Sequence, residues 1–343
     1  MKKIILAFVA AAVLVTAGVA LWMYMRLERP FRGYEARERF VEIPSGAGSA
    51  VIGRRLAEAG VVRDELTFRL ALWRSGQGRR LQAGEYRFDT PLSAREVVDR
   101  IARGDVYLRP VTFPEGMTIR QMSDVFARAG LGEAREFVAA AGTGALVHDL
   151  DAAASDLEGY LFPNTYLLPR RVTADQLVRR MVAAFRGALT PDIVEAAAAR
   201  GLSVRELVTL ASLVEKETAK PEERTTVAGV YTNRLRIGMG LQCDPTVIYA
   251  LEHAGLYDGN LTRENLRFDS PYNTYRYAGL PPGPIASPGR ASLAAAASPA
   301  DVPYIYFVSR NDGSHVFAVT LDEHNRNVFE YQVKPFRRGQ AAP

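Results

Sequence analysis

The chain opens on an uncharged run from Ile4 to Met25, preceded by Lys2 and Lys3 and carrying Trp22 and Tyr24 at its far end. Its 22 residues, at about 1.5 Å each, are enough to cross a hydrocarbon layer of roughly 30 Å, and the two rings fall at headgroup level. Gly18-Val19-Ala20 also resembles a small-residue cleavage site, so a removed signal peptide competes with an anchor. The apolar core of a signal peptide is shorter, about 7–15 residues. Read as an anchor, residues 1–3 stay cytoplasmic, residues 4–25 span the membrane once, and the rest lies outside. No second apolar run of comparable length follows.

Past a Pro- and Gly-punctuated linker (30–34), the alternation in Phe40-Val41-Glu42-Ile43 predicts a half-buried strand that Pro44-Ser45-Gly46 ends. Ile52, Leu56 and Ala59 share one helical stripe that stops at Gly60, and a second helix is predicted from Asp64 to Trp73. A strand over Gly84 to Phe88 follows, then a capping box, Ser93 with Glu96, opening a helix that stops at Gly104. The strand–turn–helix pattern returns 70 residues later: residues 43–60 align with 113–130 without a gap, with five identities in 18 positions. This is either a duplicated small module, of the kind that binds glycans in a strand–helix groove, or a common αβ unit reached twice.

From Gly132 onwards the pattern turns to Ala-rich helices. Thr173 and Gln176 form a capping-box pattern ahead of Leu177, Met181 and Phe185, and Pro191 opens a helix ending near Gly201. Near the end, a strand over 304–308, a turn at Asn311-Asp312-Gly313 and a returning strand at His315-Val316-Phe317 predict a hairpin. A last helix is capped by Thr320 and Glu323 and carries Val328 and Phe329, and residues 334–343 read as a flexible tail. His315 is open to a site role or a structural one, the second being commoner for a lone strand histidine.

The most informative pattern lies over residues 203–218. Ser203 and Glu206 fix a helix start, and Leu207, Leu210, Leu213 and Val214 define its core-facing stripe. One more step along that stripe falls Glu217, whereas Glu215 and Lys216 read as solvated charge. An unpaired buried carboxylate costs several kcal/mol, so a Glu placed there responds by raising its pKa. The partial negative charge at a helix C-terminus acts in the same direction. Such a group is a candidate general acid near neutral pH. The alternative is that the helix has ended and Glu217 stands in solvent beside Pro221. Pro221 opens a further predicted helix with Val227, Val230, Tyr231 and Leu235 as its stripe. Five prolines between Pro271 and Pro288 stiffen a long connection carrying Tyr272-Asn273-Thr274-Tyr275. Its rings suit sugar faces and its Asn273 amide suits hydrogen bonding, or the loop merely covers the helices.

Composition narrows the classes. Hydrophobic residues at 48% and charged residues at 24% exclude a disordered or fibrous chain. The single cysteine, Cys243, excludes a disulfide framework and a Cys-cluster zinc site, and the four scattered histidines offer no paired-His helix, so no metal and no cofactor is expected. A formal charge of +5 is thinly spread and gives no nucleic-acid footprint.

Three long stretches carry a family resemblance: Ala211 to Thr218, Asn233 to Met239, and Leu241 to Tyr249. With Tyr272 to Tyr275, Gly279 to Ile285 and Glu158 to Pro163, they are similar to the YceG-like family of endolytic murein transglycosylases. The resemblance runs from the apolar segment to the last helix. It implies an α+β protein: the transmembrane helix, a LysM-like αβ module over residues 38–105, and a mixed catalytic domain over 106–333 with long helices and a small sheet. It also implies a lyase on the bacterial inner membrane, facing the periplasm, that cuts MurNAc–GlcNAc β-1,4 bonds in nascent glycan strands and leaves 1,6-anhydro-MurNAc ends. Its partners would be peptidoglycan strands, the inner membrane and peptidoglycan synthases, with no nucleic acid. The family's catalytic Glu falls on Glu217, and Glu158, Gln242, Asn273 and Tyr275 are implied substrate-binding residues. Asn164 and Cys243 depart from the family's usual Asp and Thr. A muramidase-type hydrolase and a non-cutting wall-binding scaffold are the competing functions.

Overall fold

A computed structural model describes residues 2–335 and divides the chain into two compact units. One comprises Met1–Pro110 with Leu167–Arg171, and the other comprises Val111–Tyr166 with Val172–Pro343. The sequence gives no sign that five residues return to the first unit after the chain has left it. Most of the expected tail, residues 336–343, lies outside the described residues.

The first unit begins with helix α1 (Lys2–Leu27), the one helix among the described residues long and apolar enough to cross a membrane. Strand β1 (Arg39–Ile43), helices α2 (Ser49–Glu58) and α3 (Glu65–Ser75) and strand β2 (Gly84–Phe88) then form a β-α-α-β unit, followed by α4 (Ala94–Arg103). The strands pair antiparallel, from Arg39 opposite Phe88 to Ile43 opposite Gly84. Alternation puts Val41, Ile43, Tyr86 and Phe88 on one face, where they meet Ile52, Leu56, Phe68 and Ile101. Leu27 belongs to the same core. Arg26 pairs with Asp64, the N-cap of α3, and donates to the Thr67 hydroxyl at 2.9 Å, so the end of α1 is built into this unit. Buried Glu85 accepts from Arg109 at 2.6 Å and from Arg170 at 3.0 Å, which accounts for the returning segment. A buried carboxylate without partners would be costly, and both partners are distant in sequence.

Strands β3 (Leu108–Phe113) and β4 (Asn164–Pro169) pair, with α5 (Ile119–Arg128) and α6 (Ala134–Ala141) between them, which repeats the β-α-α-β order. The aligned glycines adopt the same left-handed backbone, with φ of 73° and 75° at Gly46 and Gly116 and 71° and 68° at Gly60 and Gly130. The recurrence is therefore one of conformation as well as sequence.

The second unit continues through α7 (Ala174–Ala188), α8 (Pro191–Ala199), α9 (Val204–Glu217), α10 (Arg224–Arg236), α11 (Asp244–Ala254) and α12 (Arg290–Ala297). Strands β5 (Tyr306–Ser309) and β6 (His315–Ala318) make the antiparallel hairpin, and α13 (Leu321–Val328) follows. The described residues form a mixed helix-and-sheet fold with three two-stranded sheets.

Helix α9 is the hub, packed by α8, α10, α11 and α12. Its predicted stripe is buried, but so are Val208, Thr209, Ala211 and Ser212, so α9 is a core helix rather than an amphipathic one. Each of its buried Leu and Val side chains contributes about 1.5–3 kcal/mol. In α10 the expected order is also revised: Leu235 is only partly buried, and Arg234 takes the interior position. Helix α13 buries no residue.

Candidate active site

The site forms where α9 ends. Ser203 accepts from Glu206 N and Glu206 reaches back, so the capping box fixes the start of α9 and hence which face its last turn presents. Thr218 closes the other end, donating N and Oγ1 to the Val214 carbonyl at 3.1 and 2.8 Å. Glu217 is the last helical residue and is partly buried.

Its neighbours were not singled out as chemistry by the sequence. The Tyr231 hydroxyl, on α10, donates to Glu217 Oε2 at 3.3 Å, and the buried Cys243 Sγ lies 3.7 Å from the same oxygen. Desolvation pushes the Glu217 carboxyl above its ordinary value, and Asp244 adds to the rise. His315 pulls the other way, as do the Tyr231 and Cys243 hydrogen bonds. Burial also raises the Cys243 thiol, which keeps it protonated and able to act only as a weak donor. His315 is held by Glu223, which accepts from its Nδ1 at 2.7 Å and its backbone N at 3.0 Å. The strand histidine thus has a structural partner and still acts on Glu217.

Two charged side chains nearby are built into the interior. Glu215, read as solvated, has a side chain only 6% exposed. It accepts from Gly289 N at 2.9 Å and faces Arg224 at 3.5 Å, so it clamps the loop before α12. Arg234, to which the sequence assigned no role, is buried and donates to the Leu241 and Ile305 carbonyls. It ties the loop leading to Cys243 and the strand leading to His315 to one helix.

Among the expected substrate-binding residues, Gln242 adjoins Cys243 and is exposed, with φ of 50°. A non-glycine residue in that region costs of order 1–3 kcal/mol, and such strain concentrates at functional sites. The turn is latched by Thr274, which accepts at its carbonyl from Gln242 N and at its hydroxyl from Cys243 N. Tyr275 is about one-third exposed and donates its hydroxyl to Asp244 Oδ1 at 2.5 Å. Asn273 is fully buried, and its amide is spent inside its own loop. It donates to the Leu266 and Phe268 carbonyls and accepts from Tyr275 N, so it shapes the loop that carries Tyr275.

Glu158 lies apart. It sits in a cavity of about 510 Å³ whose lining includes none of Glu217, Tyr231, Cys243 or Asp244. Both its oxygens accept from Ile119 N at 3.2 Å, and desolvation raises its carboxyl to about 8. The motif that contains it meets α9 through Gly159, whose missing side chain leaves room for Pro284. Ile285 N in turn donates to Ser212 on α9.

Chemically, the arrangement offers one carboxyl whose pKa burial raises, with two donors facing the oxygen that becomes negative when the proton leaves. The model of the YceG-like family matches residues 41–330. The endolytic murein transglycosylase of Bacillus subtilis (strain 168) is 31% identical over 307 residues, covering 85% of this chain and 84% of that protein. The protein of the same name from Streptococcus pneumoniae (serotype 2, strain D39) is 31% identical over 323 residues, covering 85% of this chain and 58% of its own length. The crystal structure of a YceG-like protein from Listeria monocytogenes superimposes with a TM-score of 0.57 at 30% identity, over 84% of this chain and 99% of that one.

Proposed function

The chain belongs to the YceG-like family, and from that premise we propose that it is a membrane-anchored murein transglycosylase with Glu217 as its acid and base. The observation that carries the assignment is the raised Glu217 carboxyl at the C-terminal end of α9, faced by Tyr231 and Cys243. Protonated Glu217 gives its proton to the glycosidic oxygen as the bond from C1 breaks. The carboxylate left behind accepts a hydrogen bond from Tyr231, then takes the proton of the same sugar's C6 hydroxyl as that oxygen bonds to C1. The acid is restored, a 1,6-anhydro-MurNAc end remains and no water is consumed. One carboxyl therefore serves both steps, whereas hydrolytic glycosidases need a pair. The nucleophile belongs to the reacting sugar, which supplies a large effective molarity.

Gln242 and Tyr275, both reaching solvent beside Cys243 and Asp244, are the proposed sugar contacts. Asn273 positions Tyr275. The family resemblance supports cleavage inside nascent strands, and α1 supports a single-pass anchor with the sites on its outer side. Purified full-length protein is given murein, and the new chain ends are identified by mass spectrometry. Anhydro-MurNAc ends, lost in Glu217→Gln, are expected. Reducing MurNAc ends would make the protein a hydrolase, and a Gln variant as active as wild type would place the acid elsewhere or leave a non-cutting scaffold.

A further inference from the structure

Helix α11 carries two different environments at its two ends. Asp244 stands at its start beside Glu217, whereas Tyr249, Glu252 and His253, further along its 11 residues, line the cavity that holds Glu158. Between the start of α11 and His253 the rise is about 13 Å. The cavity, at about 510 Å³, is within the range that takes small ligands.

Its walls state what fits. Ile119 and Val138 supply apolar surface, and the Tyr249 ring lies between His253 (centroids 4.8 Å apart) and Tyr272 (5.0 Å). Tyr249 is only 6% exposed, yet its hydroxyl makes no hydrogen bond among the described residues, although it lines the cavity. A hydroxyl that opens on a cavity with no protein partner is left for a ligand or water to complete. Asp124, Asp156, Glu158 and Glu252 line the cavity with Arg120 and Arg135, and Arg135 is spent on Glu133 outside the lining, at 2.7 Å. Such a lining repels a polyanion. Apolar surface, a flat aromatic face and carboxyl groups that accept from hydroxyls suit a neutral polyol.

We propose that this cavity is a second saccharide-binding site, distinct from the cleavage site, that holds a neutral sugar segment through Tyr249 and Glu158. Only the identity of the strand it holds rests on the murein reading; saccharide binding itself does not. Lying along α11 from Glu217, it would hold the strand away from the bond being cut and so lower KM for long strands.

The test uses full-length protein in detergent carrying Glu217→Gln, titrated calorimetrically with an N-acetylglucosamine tetrasaccharide. Tyr249→Phe removes only the hydroxyl and is expected to weaken one binding event about three- to tenfold. Val138→Trp, at an exposed wall position, fills the cavity from outside the core and is expected to abolish that event. With Glu217 intact, Val138→Trp should raise KM on long strands and leave kcat unchanged. Binding indifferent to both variants overturns the proposal, as does capture of a cationic peptide in place of the saccharide. Saccharide binding that responds to Val138→Trp in a protein that cuts no murein would keep this site and remove the catalytic reading. Cleavage without such binding would do the reverse.

Discussion

The Tyr231 hydroxyl reaches from α10 to Glu217 Oε2 across 3.3 Å. A hydrogen bond to a carboxylate favours its charged form, so Tyr231 works against the desolvation that raises the Glu217 pKa. The two effects are useful together: burial disfavours the anion beforehand, and the hydroxyl stabilises it once the proton has gone.

Glu217→Gln is expected to lower cleavage about 10²–10⁴-fold while the protein stays folded. It should also gain stability at neutral pH. A carboxyl whose pKa is raised by folding costs stability once pH exceeds its unfolded pKa, because the unfolded chain then sheds a proton the folded one keeps. The gain should therefore vanish as pH falls below the ordinary carboxylate range, which denaturation curves at several pH values would reveal. A gain that persists unchanged in acid contradicts a raised Glu217.

Tyr231→Phe is expected to lower kcat about tenfold, because the anion loses a donor. It also removes an influence that lowers the Glu217 pKa, so the alkaline limb of the pH–rate profile should move to higher pH. A slower enzyme with an unmoved limb would mean that Tyr231 acts through packing alone.

Cys243→Ala should matter less. A thiol is a weak donor and the separation is 3.7 Å, so a loss of less than about threefold in kcat is expected. Because the thiol is buried with a raised pKa, the wild-type protein should resist alkylating reagents in its folded state. Rapid inactivation by such a reagent would show the site to be more open than its geometry implies.

What was legible in the chain was local. The capping boxes at Ser93, Thr173 and Ser203 are satisfied within one helical turn, so their spacing alone reveals them. Glu217 was legible because helical periodicity places it relative to Leu210 and Val214. What needed the fold was any group whose partner comes from elsewhere. Glu215 looks solvated until Gly289 N, 74 residues on, meets it. Glu85 is held by Arg109 and Arg170, 24 and 85 residues away. Asn273 could not be read as a loop brace, because nothing in its spacing says that its amide turns inward rather than towards a sugar.

Gly159 links two of the family stretches by its lack of a side chain. Its φ is 83°, and an added Cβ would lie 2.4 Å from Pro284 Cβ and 3.0 Å from Val208 Cγ1. Neither neighbour is a flexible end that can swing away. Gly159→Ala should therefore cost on the order of 2–4 kcal/mol, combining left-handed strain with overpacking. Thermal unfolding checks this, and a variant within about 0.5 kcal/mol of wild type would mean that the two segments separate easily.

Glu158→Gln supplies the last test, because here the pH window has both its edges. The carboxyl rises from an ordinary 4.5 to about 8, chiefly by desolvation, while Ile119 N favours the charged form and opposes the rise. Glutamine keeps an acceptor for that N–H and cannot ionise. Below about pH 4.5 both folded and unfolded wild-type chains hold the proton, so wild type and variant should be similarly stable. Between about 4.5 and 8 the unfolded wild-type chain loses its proton and the folded one does not, so the variant's advantage grows with pH. Above about 8 both states are ionised and the advantage levels off, at a few kcal/mol. Urea titrations at three pH values spanning this range would show the rise. An advantage independent of pH would mean that Glu158 titrates as an ordinary carboxyl, open to water through the cavity.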